Sequence, residues 1–344
     1  MATLTGQPIS TSYEQLLSLP DGGGNAGSLV AVTDGDAGTT FALKLATTSI
    51  SIEATNKLYL DGGSNTYLLE SAADQLDFVV GGGTRAKFDA NSVISLSNND
   101  SGTSNTVFGK TAGSVLASGG SYNVLFGEEA GELLTTGEKN VAIGYQALDK
   151  GTTETDDNVA VGYKAMYGTI GTESVNDCVA IGSLALSGDL DSTDGADEAS
   201  GTIAIGKSSL AALTSGAKNL AIGYEALATM TTGNSNIAIG HNVLDAAARG
   251  ETGNIAIGQD AMSSANEGAS GLIDNNIAIG TNSLYSGTMS STDATDGNIA
   301  IGYNTMGSTA TNPQTGTIAI GKSALSALTS GTKNTAIGYE AGLA

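Results

Sequence analysis

The chain has no tryptophan, one histidine, one cysteine and three prolines in 344 residues. Cys178 has no second cysteine to pair with, so a disulfide framework and a cysteine-built zinc site are both excluded. Basic side chains are scarce: 13 against 35 acidic, for a net charge of −22. The shortage runs the whole length, with 11 acidic and 4 basic groups in residues 1–100 and 24 and 9 in residues 101–344. Nucleic acid and anionic membrane surfaces call for a basic footprint, and none exists. No run of about 18 apolar residues is present, so no membrane insertion is expected. The opening MATLTGQPIS has neither the charged nor the apolar region of a signal peptide, which predicts synthesis in a cytoplasm without export by that route.

What the chain has in excess is glycine, 49 residues, and a short motif that recurs from residue 105 onward. The motif is Asn-Ile-Ala-Ile-Gly, closing at Gly109, Gly127, Gly144, Gly162, Gly182, Gly206, Gly223, Gly240, Gly258, Gly280, Gly302, Gly321 and Gly338, which makes 13 copies 17 to 24 residues apart. Counting from the glycine as zero, position −4 is Asn in ten copies, with Cys178, Thr202 and Thr317 as the exceptions. Position −2 is Ala in eleven copies, and position +4 is usually Leu or Met. Residues 201–226 and 316–341 agree at 22 of 26 positions, so whole blocks look duplicated.

Period two gives this pattern a physical meaning. In an extended strand the residues at −3 and −1, such as Ile143, Ile222, Ile257 and Ile337 at −1, share one side. Asn140, Asn219, Asn254 and Asn334 at −4 share the other side with Ala and with the glycines Gly144, Gly223, Gly258 and Gly338. No charge occurs at −3, −2 or −1, so both sides are expected to be buried, with the bulky row and Leu as the core. Glycine at zero permits a positive φ and a corner. Asparagine repeated rung upon rung can build an amide ladder. The stretch after it, Tyr145 to Leu148 for example, is a corner or a single helical turn returning Leu to the core. One unit cannot bury its apolar side, but a stack can, and the predicted fold is an all-β parallel solenoid (β-roll or β-helix). At about 4.8 Å per rung the shaft is on the order of 60 Å long. So thin a core predicts association, as three parallel copies about one axis. The Ser-, Thr-, Asp- and Gly-rich insertions, such as 187–200, 265–275 and 286–297, read as loops on an outer surface.

The first hundred residues lack the motif. Ser12-x-x-Gln15 ahead of Leu16, Leu17 and Leu19 could cap a short helix ended by Pro20, and Asp21 to Gly27 reads as a glycine-rich linker. Residues 40–90 alternate as short antiparallel strands, with Leu76, Phe78 and Val80 on one side and turns at Asp61-Gly62-Gly63 and Gly81-Gly82-Gly83. The expected organisation is an anchoring segment, 1–37, a short-strand β domain, 38–100, and the repeat shaft, 101–344.

The units Asn140-Val-Ala-Ile-Gly144-Tyr-Gln-Ala-Leu148 and Asn334-Thr-Ala-Ile-Gly338-Tyr-Glu-Ala341 resemble the head repeats of trimeric autotransporter adhesins. They look still more like repeats of bacteriophage tail fibres and related virion appendages. The first hundred residues are similar to such fibres in style. The resemblance implies a homotrimer on a virion, held to other virion proteins by its N-terminus and presenting its surface to a host-cell receptor. These units are longer than the compact adhesin-head repeat. A bacterial surface adhesin of that kind would carry an export signal and a membrane anchor, and neither is recognised here. The same repeats would also suit a spacer shaft whose receptor-binding tip lies elsewhere, or a polysaccharide-degrading spike.

Chemistry-bearing residues are few. The acidic clusters Asp189, Asp191, Asp194, Asp197, Glu198 and Glu154, Asp156, Asp157 fall in insertions, and mobile loops rarely hold a catalytic carboxylate pair at fixed distance. Asp189-x-Asp191-x-x-Asp194-Gly195 departs from a calcium loop at its third acid and lacks the twelfth-position Glu. His241 falls in a variable column after Gly240 and reads as a surface residue. Cys178 takes an Asn slot and reads as a small buried residue. The Tyr column (Tyr145, Tyr163, Tyr224, Tyr303, Tyr339) either packs between rungs, the favoured reading, or forms an exposed stacking ladder for sugars or lipid headgroups. No enzymatic activity, metal or cofactor is expected.

Overall fold

The structure is a computed structural model. It describes residues 30–33, 40–45, 50–52, 57–60, 65–72, 75–88, 94–95, 104–151, 155–168, 170, 175–190, 199–246, 250–263, 273–285, 295–307, 314–329 and 331–343. The chain divides into two compact units, Met1–Asn98 and Asn99–Ala344. The expected helix at Ser12–Pro20, most of the anchoring segment and the Asp61-Gly62-Gly63 turn lie outside the described residues.

The first unit has two antiparallel sheets. Strands β1 (Val30–Thr33), β2 (Thr40–Leu45) and β3 (Ile50–Ile52) form one. Strands β4 (Lys57–Tyr59), β5 (Tyr67–Ala72), β6 (Gln75–Val80), β7 (Gly83–Phe88) and β8 (Ile94–Ser95) form a meander. The β6–β7 turn places Gly81 and Gly82 at φ +64° and +81°, the paired left-handed geometry of a tight hairpin, which glycine adopts without steric cost. One expectation is corrected here. Asp77 and Val79 are the buried residues of β6, whereas Leu76 and Val80 are exposed and Phe78 is half-buried. Alternation says which residues share a side, not which side is covered, and a bulge between Phe78 and Val79 bends this strand further.

The second unit is a parallel β-solenoid of about ten turns, all-β and without a helix among the described residues. Its continuous sheet has 13 strands of three residues, from Thr106–Phe108 to Thr335–Ile337, and each strand comes from one pentapeptide. Equivalent positions stack in register: Val141 on Val159, Ala142 on Ala160, Ile143 on Val161. Each strand ends because its glycine turns the chain away, and the next three or four residues form the corner.

The corner is not a helical turn. Gln146 and Leu148 take φ +54° and +52°, and Glu225 and Leu227 both take +54°, so left-handed residues sit at +2 and +4. This conformation costs a side-chain-bearing residue about 1–3 kcal/mol. It is held because it aims successive amides at opposite neighbours. The Gln146 N–H donates back to Glu128 O at 3.0 Å, and the Leu148 N–H donates forward to Ala165 O at 2.9 Å.

The core overturns a second expectation. The inward side of the strand is the small one: Ala142, Ala160, Ala180, Ala204 and Ala221 at −2 are fully buried. The corner adds Ala147, Ala165 and Ala226 at +3 and the large residues Leu148, Met166, Leu186, Leu210, Leu227 and Leu244 at +4, all fully buried. The β-branched row at −3 and −1 points outward and stays partly exposed, with Ile143 and Ile181 both at 38%. The reason is cross-section. The returning arm drives a Leu or Met into the lumen in every central rung, and at close-packed density only a methyl group fits opposite it. Each such Leu contributes about 1.5–3 kcal/mol on burial, so stability accumulates rung by rung.

Candidate interaction surface along the solenoid

The asparagine column is a buried ladder interrupted at Cys178, Thr202 and Thr317. Asn140 and Asn254 are fully buried and Asn219 nearly so. Asn140 Oδ1 accepts the backbone N–H of Asn158 in the next rung at 3.0 Å, while Asn140 Nδ2 donates to Thr155 O at 2.6 Å. Asn219 repeats this with the Asn236 N–H at 3.0 Å and Gly233 O at 2.8 Å. Asn254 does so with the Asn276 N–H at 3.0 Å and Ile273 O at 2.6 Å. Each amide therefore satisfies two backbone groups of the neighbouring rung.

The glycine column has its own close fit. Gly144, Gly223, Gly258 and Gly338 have φ of +135°, +139°, +129° and +131°. A Cβ on Gly162 would lie 2.6 Å from the carbonyl oxygen of Gly182, because the next rung's backbone crosses directly above.

A second ladder escaped the sequence reading. In several rungs position −6 carries a short side chain whose oxygen caps the backbone N–H of the preceding rung. Asp156 Oδ1 takes the Glu138 N–H, Asn176 Oδ1 takes the Asp156 N–H, both at 2.7 Å, and Asp274 Oδ1 takes the Thr252 N–H at 2.8 Å. The signal was there as Asp156, Asn176, Ser200, Asn234, Asp274 and Asp296, residues that share an oxygen acceptor and not an identity, while Ala217 breaks the column. Asp156, which its acidic neighbours suggested was part of a loop cluster, is thereby a framework residue.

Cys178 is buried inside the ladder. Its Sγ donates to Ala199 O at 3.0 Å, standing in for the Asn Nδ2. The backbone N–H groups of Gly201 and Thr202 in the next rung face the sulfur, and the Thr202 N–H also bonds Ala199 O at 3.1 Å. Burial pushes the thiol up to about 11, so it stays protonated and is no nucleophile at neutral pH.

The outward side holds the apolar row at −3 and −1 and, in line with it, the +1 column. Phe108 and Phe126 stack at 5.1 Å between centroids and are both more than half exposed. Tyr145 stacks on Tyr163 at 5.7 Å, and Tyr224 on the exposed ring of His241 at 5.2 Å. Lys322 Nζ lies 5.8 Å from the rings of both Tyr303 and Tyr339. All five tyrosines of the column are exposed, against the favoured reading of rings packed half-buried between rungs, although Tyr145 and Tyr163 stack on one another. Along this side the solenoid offers a stripe of partly exposed valine, isoleucine and aromatic residues.

Among the described residues no three acidic, histidine or cysteine side chains are placed to hold a metal ion, and no helix is long and apolar enough to cross a membrane. Asp191, Asp194 and Glu154 lie outside the described residues. Compared with protein-family models, curated proteins and solved structures, the chain matches none.

Proposed function

We propose that the protein is a non-enzymatic, homotrimeric fibre of a bacteriophage virion, made in the host cytoplasm and joined to other virion proteins through its N-terminal segment. The solenoid presents a repetitive surface to a receptor on the host cell, and three copies convert weak contacts into stable adhesion by multivalency. The observation that carries this reading is the outward stripe. A monomer in water seldom leaves a long contiguous apolar patch uncovered, and rows of Val and Ile such as Ile237, Ile239, Ile255 and Ile257 remain partly exposed rung after rung. Parallel copies meeting along these rows would supply the large-residue packing that the alanine-lined interior lacks.

Sedimentation equilibrium of the purified chain tests the assembly: the expected mass is three times 34.0 kDa. Lysine at Ile239 and Ile257 together is expected to give a folded single chain, since neither side chain is part of the interior. A folded wild-type monomer would overturn the trimer. Labelled antibodies against the chain are expected to decorate the appendages of phage particles. Unchanged adsorption after deletion of 187–200 and 286–297 would favour a spacer shaft, and new reducing ends from host glycans would favour an enzyme.

A further inference from the structure

The +1 column changes character along the solenoid. From Tyr145 to Lys322 every rung but two carries a ring or a long side chain there, and the two exceptions are Ser183 and Thr281, both half-buried. Backbone bonds fix their places. The Leu184 N–H donates to Tyr163 O at 2.9 Å, so Ser183 lies one rung after Tyr163. The Asn304 N–H donates to Thr281 O at 2.9 Å, so Thr281 lies one rung before Tyr303. Ring exposure follows these steps. Tyr145 and Tyr224, with large residues on both sides in the column, are 40% and 41% exposed, whereas Tyr163 and Tyr303 are 51% and 53% exposed. The far side of each of these two rings is taken: Tyr145 stacks on Tyr163 at 5.7 Å, and Lys322 Nζ lies 5.8 Å from the Tyr303 ring. Lys164 Nζ, 5.7 Å from the Tyr163 ring, is held closer to Tyr167, at 4.3 Å, and Lys207 reaches onward to Tyr224, at 5.6 Å. Each step therefore omits one layer of side chain, about 4.8 Å thick, beside a tyrosine ring and over a hydroxyl.

We propose that these two steps are sugar-binding subsites, each taking one neutral pyranose ring. The C–H face of the sugar stacks on Tyr163 or Tyr303 in the layer that the column omits, and a sugar hydroxyl shares a hydrogen bond with the Ser183 or Thr281 hydroxyl, which can donate and accept. The chemistry of the step selects this occupant. A ring with an apolar face and polar edges matches an aromatic face set beside a hydroxyl. A gap one layer thick admits a single ring and is too narrow for a packed protein surface, and the net charge of −22 repels polyanions. The two steps are seven rungs apart, roughly 34 Å, so a dense array of glycans engages both at once. The inference rests on the fibre reading for its setting and deepens it by naming the chemistry of the receptor.

The chain has no tryptophan, so Tyr163→Trp places a single indole at one subsite and keeps an aromatic face there. Titration of this full-length variant with maltotetraose, cellotetraose and chitotetraose is expected to give a saturable blue shift of its emission with at least one of them. Calorimetric titration of the wild-type chain with the same sugar is expected to count two sites per chain. Ser183→Tyr fills one gap with the residue the column carries elsewhere, and is expected to leave one site. Ser183→Tyr with Thr281→Tyr is expected to leave none, without lowering the melting temperature. No response to any of the three sugars, or a site count unchanged in the doubly filled variant, would overturn the proposal. A monomeric mass with sugar binding intact would remove the trimeric fibre and leave the subsites standing, whereas a trimer blind to the sugars would do the reverse.

Discussion

The two sides of each rung strand are made by the same three residues, yet they do different work. Inward, Ala at −2 meets a Leu or Met from the corner, and the Asn ladder bonds backbone groups of the neighbouring rung. Outward, larger side chains than those inside are only partly covered. Residue size therefore does not mark the core. The interior is narrow because a left-handed corner folds the chain back within a few residues, and its stability comes from repetition and from hydrogen bonds. The outward row gains no such cover and stays partly exposed.

Truncation on either side separates these roles most sharply. Leu227 is fully buried in the lumen, and Leu227→Ala is expected to cost about 2–5 kcal/mol through lost burial plus a cavity that the stacked rungs cannot collapse. Ile222, in the preceding strand of the same rung, is partly exposed. In a single chain, Ile222→Ala is expected to cost less than about 1 kcal/mol. Chemical denaturation of both variants in the chain carrying lysine at positions 239 and 257 measures the gap. Equal losses would erase the distinction between the sides.

The ladder gives the next largest effect. Asn236 Oδ1 accepts the Asn254 N–H at 3.1 Å, and its Nδ2 donates to Glu251 O at 2.7 Å. Asn236→Ala strands both buried backbone groups, at a cost of about 1–3 kcal/mol each before local adjustment. Thr317 supplies the complementary case. It fills an Asn slot, fully buried, with Oγ1 unpartnered. Thr317→Asn is expected to restore an acceptor for the Asn334 N–H and to stabilise the unit by about 1 kcal/mol, read as a higher melting temperature. A loss there would mean that the ladder is tuned to its exceptions.

Much of this was legible in the residues. Period two, the thirteen glycines and the Asn column require stacked parallel strands, and the glycine corners follow from positive φ. The inward side was misassigned because Ile and Val outweigh Ala on any hydrophobic scale, whereas the choice is made by the corner. Leu148 and Leu227 take φ values that leucine seldom adopts, and no local propensity announces this. The −6 ladder was hidden because Asp, Asn and Ser share a function without sharing an identity. In the hairpins of the first unit, where no repeat averages the signal, alternation named the two sides of β6 but not the covered one.

The smallest expected effect lies where the corner passes from inside to outside. Asp149, at +5, is buried with Oδ1 unpartnered beside Gln146, whose Oε1 is unpartnered as well. Burial, with Glu132 and Glu129 adding to it and Lys150 and Lys164 opposing, pushes its carboxyl up to about 6. An acid whose folded pKa exceeds its unfolded value binds its proton more tightly when folded. Its favourable contribution is full below pH 3.8 and is lost as pH rises to about 6. With solvent screening allowed for, the contribution is about 1 kcal/mol. Asp149→Asn is therefore expected to raise the melting temperature at pH 7.5 and to leave it unchanged at pH 3.5, flattening the decline between. An equal shift at both values would assign the effect to packing, and the carboxylate would then sit on the wetter, outward side of the corner.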